Sequence, residues 1–191
     1  YLWESLFVLM SYATKMVKVE YDGAVHEFPT KISAGKVIKE LYGKKSGAIA
    51  ALINEEEKDL SYLLSQNCKI DIITDKSEEG LYIMRHSCAH LLAQAVTELF
   101  PDARPTIGPP IDDGFYYDFY MDPINEEDLR KIEKLMKKIV KQNIPIQREE
   151  HDNETLRKMF SDNLFKMEIM DDKIGQEVGS SAYRQGKFVD L

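Results

Sequence analysis

The chain has 191 residues, with 25 Lys and Arg against 33 Asp and Glu, for a formal net charge of −8. Its 43% hydrophobic and 30% charged content is ordinary globular usage and excludes a wholly disordered chain, a collagen-like repeat and a coiled coil. An acidic chain does not hold nucleic acid by overall attraction, so any such contact must be local. Two cysteines, Cys68 and Cys88, are too few for a secreted disulfide framework and fit a reducing cytoplasm.

Residues 1–15 read YLWESLFVLMSYATK. Glu4 and Ser5 break the apolar run, which falls short of the ~18–20 residues of a membrane span and lacks the basic start and cleavage site of a signal peptide. No membrane partner is expected. The sequence opens on Tyr1, whereas Met16 opens a cleaner pattern, so 1–15 reads as a leader or a remnant of upstream translation.

Residues 16–76 read as one small α+β unit. Val17, Val19 and Tyr21 alternate with polar residues, Asp22-Gly23 follows, and Val25 and Phe28 resume the alternation, which is a hairpin signal. Ser33 is a candidate N-cap for a short helix that buries Val37, Ile38 and Leu41 and stops at Gly43. AIAALI (48–53) and CKIDII (68–73) predict two more strands around a Glu-rich turn. Hairpin, helix and strands in that order make a ubiquitin-like β-grasp module. No catalytic constellation falls within it; His26, beside the hairpin turn, reads as an exposed strand residue. Residues 77–80, polar and ending in Gly, read as a linker.

Residues 81–100, LYIMRHSCAHLLAQAVTELF, are the most informative. At about 100° per residue, Met84, Cys88, Leu91, Leu92, Ala95, Val96 and Leu99 form a core stripe. His86 and His90 fall at about 200° and 240°, on a second face and one above the other. Ala89 and Ala93 border them and let another layer approach closely. Two histidines four apart can share a metal ion or a substrate group; equally they can be two exposed helix histidines. Cys88 points to the core side, as a small buried hydrophobe.

Pro101, Pro105, Gly108, Pro109 and Pro110 predict an irregular connection. FYYDFYM (115–121) reads as one strand with Phe115, Tyr117 and Phe119 on one face and Tyr116, Asp118 and Tyr120 on the other. It is either core packing or a stacking wall for a base or ribose. Asn125 caps a helix, with Asp128 three residues on and an apolar face of Leu129, Ile132, Met136, Ile139 and Val140. Its other face carries Arg130, Lys131, Lys134, Lys137, Lys138 and Lys141, either a track for a phosphate backbone or a solvated surface. An extended stretch follows Pro145, Asn153 is the expected cap of a helix ending near Phe160, and the tail from Phe165 reads as strands turning at Gly175, Gly179 and Gly186.

RHSCAHLLAQAV (85–96), IGPPIDDGFYYDF (107–119), FKMEI (165–169) and YRQGKFVDL (183–191), in order behind a β-grasp module, resemble the N-terminal region of the bacterial-type threonyl-tRNA synthetase family. The resemblance covers about 16–191. It implies a TGS domain at 16–76 and an α+β editing domain at 81–191, with helices on an antiparallel sheet. It implies hydrolysis of serine wrongly attached to tRNA(Thr), at the acceptor end. His86 and His90 are then the first half of an HxxxH … CxxxH set whose second half would follow Leu191 directly. Lys166 would hold the ester oxygen or oxyanion, Asp190 would orient water or the serine ammonium, and Gly108 and Tyr116 would line the pocket. The two imidazoles should face an open, water-filled crevice, with Lys166 and Asp190 converging on it.

The resemblance implies no cofactor in this region. His86 and His90 are possible but insufficient metal ligands, and ATP, Mg and zinc belong with the aminoacylation domain beyond residue 191. A homodimer formed through those further domains is the implied parent. Two other readings are a free-standing trans-editing deacylase and a non-catalytic tRNA- or ribosome-associated module. The downstream sequence separates them.

Overall fold

The computed structural model describes residues 15–174 and 179–191. The chain divides into two compact units, one ending at Gly80 and one beginning at Leu81.

In the first unit β1 (Met16–Tyr21) and β2 (Ala24–Pro29) form the expected hairpin, with Met16 opposite Pro29 and Tyr21 opposite Ala24. Asp22 and Gly23 both take positive φ, 49° and 74°, as a two-residue hairpin turn requires. There follow β3 (Ile32–Ser33), α1 (Ala34–Leu41), β4 (Ala48–Ile53), β5 (Glu56–Lys58), β6 (Leu63–Leu64) and β7 (Cys68–Thr74). The sheet order is β2-β1-β7-β4-β5, with β1 and β7 parallel at its centre, the arrangement of a β-grasp. Ala34, Val37 and Ile38 of α1 pack on Val17, Val19, Phe28, Ala51, Ile53 and Ile70. Ser33 is the N-cap residue, but its side chain makes no capping bond. The first helical amides donate instead to the carbonyls of Tyr62 and Leu60, both at 2.8 Å. The Glu-rich turn is a second hairpin, with Asn54 and Glu55 at positive φ, and it adds β5 to the strands expected.

The helix that carries the histidines, α2, spans Glu78–Leu99. It begins inside the stretch read as a linker. A Cβ on Gly80 would lie 1.8 Å from the Thr74 carbonyl oxygen, so this glycine permits a close backbone approach.

The second unit continues with β8 (Arg104–Pro105), β9 (Pro110–Ile111), β10 (Gly114–Phe115), β11 (Phe119–Tyr120), α3 (Glu126–Gln142), β12 (Ile146–Asp152), α4 (Asn153–Met159), α5 (Leu164–Ile174), β13 (Gly179–Gln185) and β14 (Phe188–Asp190). Strands β12, β13 and β14 make an antiparallel sheet, while β8 pairs with β11 and β9 with β10. α2 and α3 share a core of Ala95, Val96, Ile132 and Ile139, flanked by Leu91, Leu92, Leu99, Leu135 and Met136. Leu156, Phe160, Met170 and Ala182 form a second core. No described helix is long and apolar enough to cross a membrane.

Several local expectations change. Met84, Leu129 and Val140 are exposed, so the core stripes of α2 and α3 are shorter than their apolar patterns, and Leu135 joins α3's buried side. FYYDFYM is two short strands interrupted at 116–118, because Asp118 hydrogen-bonds back to Thr106 and Ile107. The cap of α4 is Asp152, whose carboxylate accepts from the Thr155 amide at 2.7 Å, one residue before the Asn expected. The tail from Phe165 is helical to Ile174. Asn163 accepts from the amides of Phe165 and Lys166, and Lys166 and Met170 recur at helical spacing on a buried side. Gly179 begins β13, Gly186 turns into β14 with φ 63°, and the turn expected at Gly175 lies outside the described residues.

Candidate functional site

One turn of α2 separates His86 from His90, and their flanking residues Ala89 and Ala93 are fully buried. Small side chains there let the β12–β14 sheet come close. From that sheet, Tyr183 stacks on His90 with ring centres 4.8 Å apart and meets His86 edge-on at 5.0 Å. Opposite Tyr183 on β14 stands Asp190.

Asp190 is the hub. Its Oδ2 lies 2.8 Å from His90 Nδ1 and accepts the Tyr117 hydroxyl proton at 2.7 Å. Its Oδ1 is 2.7 Å from Lys166 Nζ and accepts the Leu191 amide at 3.0 Å. Lys166 Nζ also donates to Tyr117 Oη at 3.0 Å. His90 Nε2 is 3.0 Å from His86 Nε2. The structure thus brings His86, His90, Lys166 and Asp190 to one spot, though not into an open crevice. His90, Lys166 and Asp190 are only 5%, 3% and 1% exposed, and His86 alone of the four is half-buried.

Burial alone would push the Asp190 carboxyl up. The His90 hydrogen bond and the charge of Lys166 outweigh it and hold the group well below the usual carboxylate range. Burial first, then the Asp190 charge and hydrogen bond, push the Tyr117 phenol well up, so it stays a donor. An ionised carboxylate only accepts, so His90 carries its proton on Nδ1. With its proton on Nδ1, His90 turns Nε2 to His86 as an acceptor for His86 Nε2–H. Donors of the chain itself fill the roughly four acceptor positions of Asp190. The carboxylate therefore orients His90, Tyr117 and Lys166, and not a water.

No family model matches the chain. It is 49% identical over 143 residues to the threonine–tRNA ligase of Thermoplasma volcanium, covering 75% of this chain and 21% of the relative. It is 43% identical over 181 residues to threonine–tRNA ligase 1 of Bacillus subtilis, covering 92% and 28%. The ligase of Streptococcus gordonii is 39% identical over 180 residues, again covering 92% and 28%. The chain is homologous to the threonine–tRNA ligases. It spans about a fifth to just over a quarter of the length of these curated relatives.

Tyr117 and Tyr183 are the site residues that sequence reasoning did not single out for this homologue. The signal for Tyr117 was a hydroxyl placed between Phe115 and Phe119 on one strand face; where such a face is core, a buried phenol needs a partner. Gly108 does not line the cluster itself. A Cβ there would meet the Tyr117 ring at 2.1 Å, so the glycine lets that ring lie against the backbone. Tyr116 is 47% exposed and makes none of the cluster's hydrogen bonds. Lys134, Lys137, Lys138 and Lys141 lie on the solvent side of α3, Lys137 paired with Glu133, and none is a partner of the cluster. The histidine Nε2 atoms face each other at hydrogen-bond distance, and among the described residues no group of three or more metal-ligating side chains converges.

Proposed function

We propose that the chain corresponds to the N-terminal part of a threonine–tRNA ligase, with a TGS domain at 16–76 and an editing domain at 81–191 that hydrolyses seryl-tRNA(Thr). ATP-dependent threonine attachment belongs to further domains of such a ligase, which works in the cytoplasm as a homodimer. The observation that carries the reading is the Asp190 hub, a buried carboxylate that holds His90, Lys166 and Tyr117 in one place, with His86 at hydrogen-bond distance from His90. Homology to the threonine–tRNA ligases supports tRNA(Thr) as the RNA part of the substrate.

The need for such a site is physical. Serine lacks one methyl of threonine, and one methylene is worth only about 1–3 kcal/mol of discrimination in a pocket. A synthetic site therefore accepts serine too often, and a second site that excludes the larger threonine corrects the error.

The reaction is attack of water on the ester joining serine to the terminal ribose. His86, the half-exposed member of the pair, takes the water proton as the oxygen attacks the carbonyl carbon. Its Nε2 proton moves towards His90, whose Nδ1–H is held by Asp190, so the positive charge is spread over two rings beside a carboxylate. Lys166 spends two N–H donors on Asp190 and Tyr117; the third serves the developing oxyanion. The ribose hydroxyl leaves with a proton returned by the histidine pair.

The test is hydrolysis of seryl-tRNA(Thr) by this chain and by a form lengthened past Leu191. Serine release is expected, with threonyl-tRNA(Thr) spared, and His86→Ala or Lys166→Ala should slow release at least a hundredfold. Undiminished hydrolysis in either variant contradicts these roles.

A further inference from the structure

The register of the second unit's sheet sets up one more element of the site. Arg148 on β12 stands opposite Tyr183 on β13, and Tyr183 stands opposite Asp190 on β14. Directly opposed residues of antiparallel strands project from the same face. Arg148, Tyr183 and Asp190 therefore form one row across three strands. Neighbouring strands are about 4.8 Å apart, so the arginine and aspartate backbones are roughly 10 Å apart. Tyr183, between them, has its ring on His90. The row runs from the buried hub to a half-exposed guanidinium.

That guanidinium is prepared for an anion. Its Nε donates to Ser181 Oγ at 2.8 Å, which fixes the plane of the fork. Its Nη2 lies 3.4 Å from a Glu150 carboxylate that is 79% exposed, a long pair that water and salt weaken. A planar fork with a pinned Nε and loosely held terminal nitrogens suits the two oxygens of a phosphodiester.

Resting on the hydrolase reading above, we propose that Arg148 binds the phosphodiester on the 5′ side of the terminal nucleoside of the aminoacylated RNA, setting the ester against the histidine pair. The ester sits on the terminal ribose and the phosphate one ribose away, which matches a cation two strands from the hub. Arg148 is a positioning residue. It touches the substrate's backbone and not the reacting carbonyl.

The experiment compares two substrates of the same chain, seryl-tRNA(Thr) and a phosphate-free seryl ester of adenosine. For Arg148→Ala, the ratio of kcat/KM on the RNA to kcat/KM on the small ester should fall at least tenfold, mainly through KM. Arg148→Lys should recover part of it, and Glu150→Gln should raise the ratio. Binding of an uncharged acceptor-end RNA hairpin should weaken in parallel, with the slope of log affinity against log salt reduced by about 0.7 for one lost single-strand contact. An unmoved ratio, or equal losses on both substrates, overturns the phosphate assignment and leaves Arg148 a support for Tyr183. If the wild-type chain cleaves neither ester, the hydrolase reading fails. The hairpin measurement then still decides the phosphate contact, by whether Arg148→Ala weakens binding.

Discussion

The two units of this chain are built from the same kinds of element and bury very different things. The first hides Val17, Val19, Val37, Ile70 and other apolar side chains between a helix and a sheet. The second hides His90, Gln94, Lys166, Gln185 and Asp190 as well, and all the described buried polar and charged side chains belong to it. Replacing a buried ion pair with well-packed apolar residues is often neutral or stabilising, so stability alone gives no reason to enclose a lysine with an aspartate. The first unit has the interior of a scaffold, and the second encloses the charges that the proposed hydrolysis would use.

The largest expected effect breaks that contrast at its centre. Asp190→Ala strands the Lys166 ammonium and the His90 donor in the interior and should destabilise the second unit by about 3–5 kcal/mol, read by urea denaturation. Acid should show the same dependence. The Asp190 carboxyl sits below its unfolded value, so its contribution is fully present above the ordinary carboxylate pKa of about 4. It is lost as pH falls through the depressed folded value. Wild-type stability should therefore fall more steeply below pH ~4 than that of Asp190→Asn, measured in parallel denaturation series.

A smaller loss should follow Tyr117→Phe, which removes the phenol bridging Lys166 and Asp190 while keeping the ring on Gly108. A hydrogen bond to a charged group is worth about 1.5–3 kcal/mol, and the denaturation midpoint should drop accordingly. Smallest is Asn125→Ala. It removes the capping box at the start of α3 and should lower stability by about 1 kcal/mol without changing ester hydrolysis.

The two units also differ in how much of them could be read in advance. The first was legible because its signals are local: strict alternation around Asp22-Gly23, a short apolar helix stripe ending before Gly43, and two apolar strands. Of the strands that escaped there, β3 and β6 are only two residues each, and β5 depends on Asn54 and Glu55 accepting positive φ, which no apolar pattern announces. In the second unit the family motifs named His86, His90, Lys166 and Asp190, and these meet. Tyr117 did not stand out, since an aromatic run looks the same whether its hydroxyls face water or a carboxylate. The tail after Asn163 read as strand because Phe165, Met167 and Ile169 alternate. The capping carboxamide of Asn163 and the buried side of Lys166 and Met170 favour helix instead. The closed character of the hub was equally hidden. Periodicity places two histidines on a second face of α2, and only the tertiary packing of Tyr183 shows that this face is covered.

The most direct test of the account is the single-turnover rate at which a form lengthened past Leu191 frees serine from seryl-tRNA(Thr), set beside its rate on threonyl-tRNA(Thr) and beside Asp190→Asn. Fast serine release, at least a hundredfold slower on the threonyl ester and in the variant, is the predicted result. Equal rates on both esters, or full activity with Asp190 replaced, would contradict it.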